Sequence, residues 1–193
     1  AQYDSVIVFI LATVFISVYL YLEARPHGSS LIADIKKTFL RFLELSSLLR
    51  NKYLVFLYVL IALILGGLSS SNTASDLWYQ DLIKSSLNPP GYVFGIVWPI
   101  LYILMGISAF LTYLKVYKLF IIQLIFNTMW SWLFFAFHLP VIALIDIYLL
   151  IGLNIYLVSV MWKINKLAAY LFLPYIAWLI FASHLNLVIV LFN

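Results

Sequence analysis

The sequence predicts an all-α fold, a polytopic bundle of membrane-spanning helices. Sixty-six per cent of the 193 residues are hydrophobic. Only nine per cent are charged, against the roughly 25 per cent that a water-soluble domain carries. The apolar runs far exceed the roughly 10-residue strands of a membrane barrel, and they show no period-2 alternation. With no cysteine in the chain, disulfides, thiolate metal sites and a cysteine nucleophile are excluded. The net charge of +4 comes from loop lysines and arginines and suits anionic lipid headgroups. No nucleic-acid recognition motif is present, and no nucleic-acid partner is expected.

Residues 6–22 form the first apolar run, read as an extra N-terminal span or an uncleaved signal anchor. Glu23-Ala24-Arg25-Pro26 follows it where a small-residue cleavage site would stand. A turn at 25–30 leads into residues 31–52. There Leu31, Ile32, Ile35, Phe39, Phe42, Leu43 and Leu45 recur at near-helical spacing around Lys36, Lys37 and Arg41. That pattern predicts a basic amphipathic helix at the interface, or a docking site for another protein. Residues 1–52 are therefore read as an extension.

Five runs follow, each close to the roughly 20 residues that cross a bilayer: 53–68, 92–114, 119–137, 141–162 and 167–192. The first is short, and is expected to snorkel through Lys52 and to borrow from Ser69–Ser71. Ten of the eleven basic residues, all but Lys84, then fall on one face. The positive-inside rule makes that face cytoplasmic, which places the 69–90 loop and the C-terminus on the other side.

Polar and aromatic residues inside these spans predict a cavity, because hydrocarbon offers a lone amide no partner. Phe94, Trp98 and Tyr102 share one helix face. Asn127, Trp130 or Ser131, and Phe134 share another. Trp178, Ala182 and Leu185 or Asn186 share a third, with Ala182 leaving room beside the indole. A flat, largely apolar ligand such as a porphyrin suits such walls. Trp132 is expected to face lipid, and Trp162, Tyr113 and Tyr117 to anchor at the interface.

Asp146 is the one acidic residue within the core spans. It is assigned to the pocket with Leu150. Two roles are open to it: contacting a ligand amine or relaying protons, or bonding structurally to Asn127, a loop amide or Trp78. His27 lies in a turn, His138 in a short loop and His184 off the Trp178/Ala182 face, so no metal ligand is assigned. Pro89 and Pro90 stiffen the exit of the long 69–90 loop, and Pro90 is expected to open the second helix. The loop carries Trp78 and is expected to act as a lid, with release of ligand governed by Trp78. Pro174 is expected to kink the last helix near the pocket floor.

From about residue 53 the chain resembles the TspO/MBR family, the translocator or tryptophan-rich sensory proteins. The loop carries Trp78-Tyr79, Leu82, Lys84 and Pro89-Pro90. The next helix carries Phe94, Val97-Trp98, Leu101-Tyr102 and Met105. Gln123, Asn127, Trp130-Ser131 and Phe134-Phe135 follow, then Ala143 and Asp146. The last helix has Leu173-Pro174-Tyr175, Trp178, Phe181-Ala182 and Leu185-Asn186. Two departures stand out. Lys84-Ser85-Ser86-Leu87 lacks the tryptophan and proline usual before the paired prolines, and the C-terminal tyrosine-then-basic pattern linked to cholesterol is missing.

The resemblance implies a five-helix core over 53–193 that binds porphyrin or haem intermediates, with sterol-like or drug-like molecules as further ligands. It implies a homodimer, and no cofactor beyond the ligand. The bacterial inner membrane is the expected location, with organellar membranes as the alternative. Two other functions stay open. One is light- and oxygen-dependent porphyrin degradation, in which Trp98 and Trp178 would pass an electron. The other is a scaffold that recruits a partner through residues 1–52.

Overall fold

A computed structural model describes residues 51–193. The expected span over 6–22 and nearly all of the amphipathic helix over 31–52 lie outside the described residues. Within them the chain is helical, with four long apolar helices and a short one in the loop.

Helix α1 (Val55–Ser70) follows a 3-10 turn (Lys52–Leu54), whose first free N–H, on Tyr53, is capped by the Asn51 side chain at 3.1 Å. It frays where Gly66-Gly67 and three serines meet, the Ser69 and Ser71 hydroxyls bonding back to the Gly66 and Leu68 carbonyls. Helix α2 (Leu77–Asp81) is capped by Asp76, whose carboxylate accepts from the Trp78 N–H. Pro90 caps α3 (Gly91–Ser131) rather than opening it, so Gly91 is the first helical residue. The helix runs on into a π-helical turn (Trp132–Ala136). Helix α4 (Pro140–Ile164) starts on a proline, which has no N–H to leave unpaired there. Asn165 ends α4 and caps α5 (Lys166–Phe192) by accepting from the Ala168 N–H.

The expected spans over 92–114 and 119–137 are thus one uninterrupted helical element, yet they are two crossings. Tyr102 and Asn127 would stand about 37 Å apart on a straight helix, at 1.5 Å per residue. Instead the Tyr102 hydroxyl donates to Asn127 Oδ1. The chain must therefore reverse between them, around Lys115–Lys118. No glycine or proline marks the reversal, so the backbone keeps helical turns all the way round it.

Five crossings result, and side-chain pairs give their directions. At the lysine end, Ser108 Oγ donates to the Ala168 carbonyl at 2.6 Å, and Phe56 packs on Phe110. At the loop end, Phe94 meets Trp178, Ser131 Oγ donates to the Gly66 carbonyl, and Asn186 Nδ2 to that of Pro140. Helix α1, the second arm of α3 and α5 therefore point one way; the first arm of α3 and α4 point the other. The outer surface is aliphatic: Leu60, Ile64 and Leu68 of α1 and Ile96, Ile100 and Ile103 of α3 are each more than half exposed. A surface of this kind requires lipid.

Tyr113, expected as an interfacial anchor, is 1% exposed and packs against Tyr117, two residues from Lys115. It faces inward beside Thr112 and Val116, a heading that helical rotation decides and an interfacial position does not. Trp132, expected toward lipid, is half-buried. Its indole N–H donates to the Leu65 carbonyl at 3.1 Å, tying the end of α3 to α1.

Candidate functional site

The loop end of the bundle encloses a cavity of about 860 Å³, within the roughly 300–1,000 Å³ usual for small-molecule sites. The first arm of α3 supplies Phe94, Trp98 and Tyr102, stacked along one face as their i, i+4, i+8 spacing requires. The second arm supplies Asn127, Trp130, Ser131 and Phe135; α5 supplies Trp178 and Ala182. Helix α1 adds Leu63, Gly66, Gly67 and Ser70, and the loop adds Tyr79, Asn88 and Pro89.

Hydrogen bonds set the walls. Asn127 Oδ1 accepts from Tyr102, and its Nδ2 donates to the Tyr175 hydroxyl at 2.9 Å, so one amide joins both arms of α3 to α5. The Trp130 indole donates to Asn186 Oδ1 at 3.2 Å, which fixes that ring. Ser131 Oγ lies 2.6 Å from Ser69 Oγ, closing α1 onto the second arm. These groups mostly satisfy one another, whereas the buried Trp178 indole N–H has no partner, so the wall is largely aromatic with a free donor on α5 and hydroxyl and amide groups toward the loop.

Eight of the thirteen residues assigned to the site line the cavity: Pro89, Phe94, Trp98, Tyr102, Asn127, Trp130, Trp178 and Ala182. Five do not. Phe134 lies behind Trp130, stacked on it at 5.7 Å, because the π-helical turn swings Phe135 into the wall instead. Leu185 is buried one turn past Ala182, in helix packing. Asp146 and Leu150 are buried on α4, which contributes nothing to the wall. Asp146 also lacks its expected structural bonds. Asn127 is committed to the two tyrosines and Trp78 to another partner, and both Asp146 carboxylate oxygens are buried without a hydrogen bond.

Trp78, the fifth, stacks on His138 at 4.2 Å, with planes 14° apart. His138 Nε2 lies 2.8 Å from Asp76 Oδ2, so the residue that caps α2 also holds the α3–α4 corner. His138 adopts a φ of 54°, a left-handed conformation that histidine takes far less often than glycine. The loop aromatic that lines the cavity is Tyr79. Burial raises its hydroxyl above the ordinary tyrosine range, against an opposing hydrogen bond with Asn88, so it stays neutral. Lys84 Nζ lies 4.5 Å from the Tyr79 ring centroid, and Asn193 bonds both the N–H and the carbonyl of Ile83. His184 is exposed beside Ser85, away from the cavity. Trp162 is exposed and packs on Tyr170.

The α1 wall was missed by sequence reasoning. Gly66-Gly67 and the serines after them read as the frayed end of a short span. The signal available was four small residues opposite an aromatic helix face.

A TspO/MBR family model matches residues 54–191. The chain belongs to that family. It is 34% identical over 144 residues to the tryptophan-rich protein TspO of Archaeoglobus fulgidus, covering 70% of this chain and 94% of that protein. Identity to the TspO of Chlorobaculum tepidum is 33% over 156 residues, covering 74% and 99% respectively. The human translocator protein is 33% identical over 119 residues, covering 56% of this chain and 70% of the relative. With its long apolar helices, the chain is an integral membrane protein of the translocator and sensory-protein family.

Proposed function

We propose that the protein is a membrane receptor or transport-type carrier that binds porphyrin or haem intermediates in this cavity, with the 69–90 loop as its cover. One observation carries the reading: Phe94, Trp98, Trp130 and Trp178 surround about 860 Å³ of space, with polar groups such as Asn127, Ser131, Ser70, Thr73 and Asn88 set among them. Ring faces hold a flat conjugated molecule by stacking, and polar groups set its orientation. Among the described residues, Lys52, Lys115, Lys118, Lys163 and Lys166 gather at the end opposite the loop. This supports a cytoplasmic lysine end, with loop and C-terminus on the other side of a bacterial inner membrane.

Titration of the purified protein with protoporphyrin IX tests the reading. Saturable quenching of tryptophan fluorescence is expected, and its loss in Trp98→Ala with Trp178→Ala. Absence of saturation would overturn it. If the porphyrin absorption band bleached in light and held in darkness, turnover would replace storage or transport as the function.

A further inference from the structure

The cavity is closed unevenly. Its far wall is buried: Tyr102, Asn127, Trp130 and Ala182 are each under 9% exposed. Its near side, between α1 and the first arm of α3, carries the exposed Gly67, Gly91 and Gly95. Four of the six glycines among the described residues border this one cavity.

The same two helices behave differently at their other end. There a Cβ added at Gly106 would meet the Phe56 ring at 3.4 Å and Val59 at 3.7 Å, so α1 side chains pack directly on the α3 backbone. A Cβ at Gly67, Gly91 or Gly95 would meet nothing within 4 Å. The two helices touch near Gly106 and part toward the loop, as the arms of a V. Pro99 lies in this stretch and has no N–H to offer the Gly95 carbonyl, which leaves the helix free to bend there.

What the gap faces follows from its neighbours. Gly67 lies between the exposed Ile64 and Leu68, and Gly95 beside the exposed Ile96. Gly95 is about 6 Å, one helical turn, inside α3, and Gly67 about 5 Å from the end of α1. These depths lie below the loop and within the aliphatic belt. The water side is covered by the loop, where Tyr79, Asn88 and Pro89 form the ceiling and the Trp78–His138–Asp76 contacts hold it down.

We infer that the cavity is loaded sideways, through a glycine-edged slit between α1 and α3 that opens into the acyl chains of the leaflet at the loop end. Its ligand class is therefore a flat molecule already dissolved in the bilayer, not one captured from water. This rests on the cavity being the ligand site, but its test needs no porphyrin.

The chain has no cysteine, so Ala182→Cys places a single thiol on the far wall. The protein, in lipid nanodiscs, is treated with a long-chain alkyl maleimide dissolved in the bilayer or with a sulfonated maleimide confined to water. Each rate is normalised to a free thiol. The bilayer reagent is expected to react at least about tenfold faster, a barrier difference of roughly 1.4 kcal/mol. Adding Gly67→Leu and Gly95→Leu should remove most of that advantage, while Gly152→Leu, on α4 with open space around it, should not. Equal or faster labelling from water would overturn the inference, as would leucines that leave the bilayer rate unchanged. Should the leucine pair not fold, the two-reagent comparison on Ala182→Cys decides alone. Sideways labelling alongside a failed porphyrin titration would keep the slit and discard the ligand.

Discussion

The two halves of the bundle are built from the same helices and pack in opposite ways. At the lysine end, Met105, Ala109, Val116, Phe120, Leu157, Met161, Ala168 and Phe172 are all fully buried. Small residues there let backbones approach, as the Ser108 hydroxyl reaching the Ala168 carbonyl shows. At the loop end, large rings stand along the walls and glycines replace side chains along one seam. The chain's overall apolarity says nothing about this contrast. Where small residues face medium ones the space fills, and where glycines face large rings lined along the opposite wall it stays hollow.

The largest expected difference comes from truncating a ring in each half. Phe172→Ala should cost about 3 kcal/mol, at the low end for Phe→Ala because the unfolded helices remain in lipid and only packing is lost. Phe94→Ala, which enlarges a hole already present, should cost under about 1 kcal/mol. Unfolding in lipid, read by helicity or by steric trapping, compares them. Equal costs would mean that the hollow half is packed as tightly as the other.

The glycines give the next effect. Gly106→Leu drives a side chain into Phe56 and Val59 and should destabilise by about 1–3 kcal/mol. Gly95→Leu meets open space and should stay within about 0.5 kcal/mol of the parent. A smaller effect still is expected at the join between the halves. Asn127→Leu removes two interhelical bonds of about 0.6 kcal/mol each, and Tyr102→Phe or Tyr175→Phe should each remove about half that total. Additive losses from the two phenylalanines would show that the two bonds act independently.

The crossings were legible because membrane length and charge at the turns are written in composition. Lys115–Lys118 divided two spans correctly even though the backbone there never leaves helical geometry. Wall residues on α3 and α5 were legible because i, i+4 spacing puts rings on one face. Three features were not. Helix α4 stands behind the cavity, so Asp146 and Leu150 looked like wall residues by depth alone, and depth does not reveal which neighbour a helix backs onto. The π-helical turn exchanged Phe134 for Phe135, since one extra residue in a turn rotates everything after it. The glycine seam carried no side chain to give it a period.

The loop cover supplies the smallest effect and the sharpest test of which side of the cavity admits ligand. The 69–90 loop was expected to act as a lid with Trp78 governing release; in the structure Trp78 stacks on His138 like a clasp and Tyr79 takes the cavity face. Removing the clasp through His138→Gly takes away the stack and the Asp76 bond while suiting a backbone already at φ 54°. Porphyrin dissociation should then quicken by about threefold, roughly 0.6 kcal/mol, in keeping with one partly exposed hydrogen bond. Asp76→Ala removes the same His138 bond together with the cap of α2 but leaves the Trp78 stack, so it too should quicken release, and the pair together should be less than additive because the His138–Asp76 bond is shared. His138→Ala separates ring from backbone: it should match the glycine variant in release rate yet lose about 1 kcal/mol more of folding stability, the cost of a Cβ in left-handed geometry. If His138→Ala alone speeds release, the backbone of the α3–α4 corner holds the loop and the stacked ring does not. If neither variant alters release while the leucines at Gly67 and Gly95 do, ligand leaves by the seam in the membrane and the loop serves only to keep water out.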